Sequence, residues 1–129
     1  MITIIRIEHP SDGQGLWRSG DEDCLISNHS KFTEITERHS DKSKFPTYGN
    51  DEVLHTQIDW YTLQKYHFAF LNLEQFREAL TNEEVKECIN DLEFQVLMLD
   101  VTDYYTSSYQ AVFNKESIIS SKDISFMFI

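Results

Sequence analysis

The chain has 129 residues and a net charge of -11, from 22 Asp and Glu against 11 Lys and Arg. About 40% of residues are hydrophobic and 13% aromatic, enough for one core, so residues 1–129 read as a single domain rather than a disordered chain or two domains. No apolar run approaches the roughly 20 residues that span a bilayer, and the acidity opposes direct binding to a phosphate backbone, whose affinity comes from Lys and Arg.

Residues 2–8 (ITIIRIE) predict a strand with isoleucine on both alternating faces, so both faces are expected to be covered. Arg6 lies inside this run, on the face of Ile2 and Ile4. A charge buried there needs partners. A buried carboxylate would serve, or a pocket in which the planar fork holds a ligand phosphate. The opening run has no cleavage signal, so no secretory leader is expected. Cys24 and Cys88 stand alone and read as reduced thiols of a cytoplasmic protein.

Residues 10–24 hold three of the four glycines and one of the two prolines, which predicts a loop anchored by Trp17. Residues 30–39 (SKFTEITERH) suit a short helix capped by Ser30, with Phe32, Ile35 and Thr36 on one face. Residues 40–52 are polar and turn-rich, an expected exposed loop. Residues 53–65 are ambiguous, with a short helix through Ile58, Trp60 and Leu63 as one reading. Residues 66–71 (YHFAFL) predict a strand. Asn72 then caps a helix with Leu73, Phe76 and Leu80 on one face. Thr81 and Glu84 form a capping box. The helix behind it carries Val85, Cys88, Ile89 and Leu92 at i, i+3, i+4, i+7 spacing.

Residues 94–101 (FQVLMLDV), 108–113 (SYQAVF) and 124–129 (ISFMFI) predict three further strands. The fold class expected from this order is α+β, with a mixed, largely antiparallel sheet and two or three short helices.

Charge is unevenly spread. Residues 66–103 hold 9 acids and 2 bases, net -7, whereas residues 104–129 hold 2 of each. Glu74, Glu78, Glu83, Glu84, Glu87, Asp91 and Glu93 are assigned to the solvent faces of the two central helices. Such a face is either simply solvated or a track of carboxylates that occupies a basic groove.

Among chemically capable residues, His67 sits between Tyr66 and Phe68 in a strand, as a hydrogen-bonded histidine or a pocket group. Gln110 points away from Tyr109 and Ala111. Tyr104, Tyr105 and Tyr109 form an aromatic cluster suited to packing at the core edge, to a pocket or to an interface, including self-association. No metal site is expected, because His9, His29, His39, His55 and His67 lack ligand spacing. Gly13-Gln14-Gly15 lacks the third glycine of a dinucleotide loop. No nucleophile elbow or zinc-protease motif is present, so no catalytic constellation is complete and no cofactor is called for.

Three stretches, IIRIEHPSDGQGLWR (4–18), YHFAFLNLEQFREAL (66–80) and FQVLMLDVTDYYTSSYQAVFNKESI (94–118), together resemble a group of small bacteriophage and prophage proteins. More distantly, the layout is similar to the ADP-ribosyltransferase fold. That likeness implies NAD or nucleotide binding in a pocket around Arg6, His67 and Gln110. There Arg6 would match the first-strand NAD-holding residue and Gln110 the catalytic glutamate. A neutral amide at position 110 cannot supply the carboxylate that stabilises an oxocarbenium-like transition state. The phage resemblance implies instead a binding protein, active in the host cytoplasm, that inhibits or modulates a host nucleic-acid-handling or defence complex, in the manner of anti-CRISPR, anti-restriction or DNA-mimic proteins. Its partner would be a host protein with a basic groove.

Overall fold

A computed structural model describes residues 1–11, 13, 15 and 51–128. The expected loop over 10–24, helix over 30–39 and loop over 40–52 fall wholly or mostly outside these residues. The fold is α+β. Strands β1 (Ile2–Glu8), β3 (Gln95–Val101) and β6 (Ile118–Asp123) form one sheet in the order β1-β3-β6. Strands β2 (His67–Ala69), β5 (Ala111–Phe113) and β4 (Tyr104–Thr106) form a second, ordered β2-β5-β4. Every ladder is antiparallel. The sheets join at one point, where Ile5 and Phe70 exchange both backbone hydrogen bonds at 2.9 and 2.8 Å.

Four helices are described: α1 (Glu52–Gln57), α2 (Trp60–Leu63), α3 (Leu73–Ala79) and α4 (Asn82–Leu92). Each starts at a side-chain cap, namely Asp51, Asp59, Asn72 and Thr81. The Thr81–Glu84 capping box is complete in both directions. α4 ends on Glu93 in the left-handed conformation at φ 61, a position that favours glycine.

Three apolar clusters order these elements into layers. The first packs Phe76, Leu80, Val85, Cys88 and Leu92 of α3–α4 and their flanks against Ile5, Ile7 and Val96 of the first sheet. The second fills the space between the sheets with Ile4, Leu97, Leu99 and Val101 against Ala69, Ala111 and Phe113. The third sets Val112 and Tyr66 against Leu54, Ile58 and Leu63 around α1–α2. The stacking is therefore helix, sheet, sheet, helix, and β1 is covered on both faces as its isoleucines predict. Phe76 and Phe113 are fully buried, each contributing about 1.5–3 kcal/mol by leaving water.

Three expectations are corrected. The segment over 53–65 is two helices broken at Ile58, whose extended backbone caps α1 and sends its side chain inward; Trp60 points outward instead of joining Leu63. The strand expected over 108–113 begins only at Ala111. Residues 107–110 form the turn from β4, closed by Ser107 N–H donating to the Gln110 carbonyl at 2.9 Å. The last strand is 118–123 rather than 124–129. Beyond it the chain turns over the end of β3, where Ser125 Oγ accepts from Val96 N–H at 2.9 Å. Ile124 and Phe128 then tuck into the first cluster. Period-two apolar spacing in ISFMFI thus serves a turn, while the edge strand IISSKD is mostly polar because little covers it.

Candidate functional site

β1 turns its charged residues toward the second sheet. Alternation places Arg6 and then Glu8 on the face of Ile2 and Ile4, and both are buried. Arg6 Nη1 donates to the Phe68 carbonyl at 2.6 Å and Nη2 to the Gly13 carbonyl at 2.8 Å. Its Nε stands 3.8 Å from Glu8 Oε1, beyond hydrogen-bond reach, and has no hydrogen-bond partner among the described residues. Lys115 Nζ meets Glu8 Oε2 at 3.1 Å and the Gly13 carbonyl at 2.8 Å. The Arg6 guanidinium also lies 5.7 Å from the Phe113 ring centroid. Burial lowers the Arg6 pKa to about 10 against the attraction of Glu8, so it stays charged at neutral pH.

The role of this cluster is to fasten the segment after β1. Gly13 has φ 70, and a Cβ there would meet Lys115 Nζ at 2.4 Å. Only a residue without a side chain lets both cations reach that carbonyl without displacement. The planar fork of Arg6 is spent on two backbone carbonyls, which removes it as a free holder of ligand phosphate.

His67 sits nearby, half-buried and tilted on Phe113 at 6.0 Å. Desolvation, then the positive charges of Arg6 and Lys115, lower its pKa to about 4. It is neutral at pH 7. Gln110 is placed elsewhere. It is buried, and its Nε2 donates to Asp51 Oδ2 at 2.9 Å. Val112, two residues on, belongs to the α1–α2 cluster, whereas Ala111 and Phe113 belong to the inter-sheet cluster and Phe113 lies beside Arg6. The structure therefore brings Arg6 and His67 together and turns Gln110 elsewhere, because the turn before β5 directs its side chain to the Asp51 cap of α1.

Cys88 is fully buried in α4, and desolvation followed by Glu84 and Glu87 pushes its thiol up to about 12. A thiol so held is a packing residue rather than a nucleophile. Among the described residues no group of three or more His, Cys, Asp or Glu side chains gathers as a metal site.

The acidic set divides. Glu74, Glu78, Glu83, Asp91 and Glu93 are exposed. Glu87 is half-buried, and Glu84 is buried at 5% exposure because its carboxylate accepts from Thr81 N–H at 3.0 Å. Glu84 is thus a capping group, not part of a solvent face. Glu74 and Glu78 are spaced i, i+4 on α3. Glu83, Glu87 and Asp91 are spaced i, i+4, i+8 on α4, about 6 Å apart along the axis. That is roughly half the linear charge density of one strand of B-DNA. The two cations of these helices are engaged: Lys86 lies 3.5 Å from Glu83, and Arg77 lies over the Phe128 ring at 5.8 Å.

The three tyrosines do not form one patch. Tyr104 packs against the inter-sheet cluster and Tyr105 against the α1–α2 cluster, 5.6 Å from Tyr66, since adjacent strand residues face opposite ways. Only Tyr109 is exposed. The most exposed aromatics among the described residues are instead Tyr61, Phe126 and Trp60, at 85%, 64% and 58%.

Several residues of the site escaped sequence reading. Glu8 was not singled out, although it lies two positions from Arg6 on the same strand face. Lys115 and Asp51 reach their partners across 107 and 59 residues of chain, and no local signal marks them.

Among the described residues no helix is long and apolar enough to cross a membrane. No curated protein and no solved structure matches the chain, and none of the comparisons connects it to the ADP-ribosyltransferase fold. Residues 1–127 do match a family model, that of the bacteriophage T4 Y00F protein. They hold every strand and helix described above, and the chain belongs to that phage protein family.

Proposed function

We propose that this phage protein is a non-enzymatic binding protein whose α3–α4 face docks in the basic groove of a host nucleic-acid-handling or defence protein. One observation carries the reading: exposed carboxylates are kept where helix electrostatics disfavours them. Glu78 lies in the last turn of α3, and Asp91 in the last turn of α4, a turn without a basic residue. A carboxylate at a helix C-terminus costs about 0.3–1 kcal/mol against the macrodipole. The like-charged i, i+4 pairs add a few tenths more. Solubility alone needs no charge at these positions. A basic groove would offset the repulsion on binding and speed association.

The test compares tagged wild-type protein with the Glu78→Lys/Asp91→Lys variant in capture from a host bacterial lysate at low and moderate salt. A basic nucleic-acid-handling protein retained by wild type, released by salt and lost with the variant supports the reading. Equal retention by both proteins contradicts it.

A further inference from the structure

We infer that the outer edge of β6 pairs with the β6 of a second copy of this chain, joining the two first sheets into one antiparallel sheet across a two-fold axis. The inference does not rest on the α3–α4 reading. β6 ends the first sheet, and among the described residues no strand pairs with its outer side. The opposite edge of that sheet is covered, because β1 meets Phe70 at Ile5 and Gly15 at Glu8. Residues 119–123 are all exposed, and Ile119 keeps its apolar side chain 61% in solvent. An open row of N–H and C=O groups is a template for a further strand.

The ladder fixes which groups are open. Ile5 exchanges both backbone hydrogen bonds with Phe70, so it does not bond to Met98, opposite it on β3. Met98 and Asp100 therefore bond toward β6, where Lys122 and Ser120 oppose them. That turns the N–H and C=O of Ser121 and Asp123 outward. A two-fold axis perpendicular to the sheet sets residues of the same face opposite each other. An axis at Ser121 pairs that residue with its own copy, and Asp123 with Ile119 of the second copy.

Side-chain charge selects the same register. An axis at Lys122 would set lysine against lysine, and one at Asp123 would set carboxylate against carboxylate. With the axis at Ser121, Lys122 lies opposite Ser120 of the second copy, on the face where Ser120 donates to Asp100. Hydrogen bonds from Ser120 and Thr3 hold the Asp100 pKa below its ordinary value, so that carboxylate stays ionised well into acid. Lys122 is exposed and takes part in no ion pair among the described residues. Its long stem can carry the ammonium to Asp100 of the second copy, twice per dimer. Lysine and a bulge on an edge oppose unspecific pairing, and here they leave one register open. Met98 packs with the helix cluster on this same face, so the axis keeps the α3–α4 layers of both copies on one side of the joined sheet.

A ladder this short buries less than the roughly 1,200 Å² of a stable interface, and two chains of net charge -11 repel. The dimer is therefore weak. Salt strengthens it, because screening removes the long-range repulsion more than the contact pairs.

The test is sedimentation of the full chain at graded concentrations, up to on the order of 1 mM, at low and moderate salt. A monomer–dimer equilibrium that shifts toward dimer with salt is expected. Ser121→Pro removes an outward N–H, which an edge strand tolerates. It should abolish the dimer while the circular dichroism spectrum stays that of wild type. Lys122→Glu should weaken association roughly 3- to 30-fold, and adding Asp100→Lys should restore it. Ser121→Cys should cross-link the two copies in oxidised glutathione, since opposed Cα atoms about 5.5 Å apart suit a disulfide. Ser120→Cys should not. Wild type that stays monomeric throughout, or a dimer that survives Ser121→Pro, overturns the inference. If Ser121→Pro fails to fold, the cross-link decides: no more of it in Ser121→Cys than in Ser120→Cys overturns the inference equally.

Discussion

Gln110 Nε2 donates to the Asp51 carboxylate at 2.9 Å, joining the turn after β4 to the cap of α1. Asp51 Oδ2 also accepts from Ser107 Oγ at 2.6 Å, and Oδ1 from Leu54 N–H at 3.3 Å. One buried carboxylate therefore serves a helix start and a hairpin turn together. Asp51→Ala removes the cap and leaves two donors without their acceptor. It should destabilise the protein by about 2–4 kcal/mol, measured by urea denaturation. Gln110→Glu sets a second carboxylate against the first and should cost about 1–3 kcal/mol.

Arg6 is held by geometry as well as charge. Arg6→Met leaves the Phe68 and Gly13 carbonyls and part of the Glu8 charge without their partner. A loss of about 3–5 kcal/mol is expected. Arg6→Lys retains the charge but cannot reach both carbonyls with one fork, and should recover only part of that loss. Denaturation midpoints of the two variants, compared with wild type, check the order.

His67 gives stability a pH dependence of defined sign. Its folded pKa is about 4, below the ordinary value of 6.5. The unfolded chain therefore binds the extra proton first. Stability is complete above about pH 6.5 and falls as pH drops toward 4. Allowing for the exposed part of the ring, the loss is on the order of 1–2 kcal/mol. His67→Gln should flatten the curve over that window relative to wild type. An unchanged difference between the two proteins from pH 7 to pH 4 contradicts the assignment.

The acidic face predicts a trade between stability and binding. Asp91→Lys places a cation in the last turn of α4 and should raise stability by about 0.3–1 kcal/mol. The same change should weaken partner binding. Glu83→Lys, in the first turn of α4, should lower stability by a similar amount. Thermal unfolding of the two variants at low salt separates these signs.

How far the sequence spoke depends on whether a signal is local. The β1 span, the Asn72 cap and the Thr81–Glu84 box were legible, because alternation and capping act within a few residues. The β4 strand was hidden in the Tyr104–Thr106 run, whose neighbours alternate between two different cores. Gln110 was placed in a pocket with Arg6 and His67 because Asp51, its acceptor, lies 59 residues away. Glu84 was read both as a member of the box and as a solvent-facing acid; the two roles conflict, because accepting from Thr81 N–H turns its carboxylate inward. Trp60 was read as a core residue by helical spacing, yet the break at Ile58 rotates it outward.

The central claim is that the α3–α4 carboxylates occupy a groove made for nucleic acid. The most direct measurement loads host lysate onto immobilised double-stranded DNA and elutes with this protein at moderate salt. Wild type should displace a specific basic protein from the DNA, and Glu78→Lys/Asp91→Lys should fail to do so at equal concentration. Displacement by both proteins alike, or by neither, contradicts the claim.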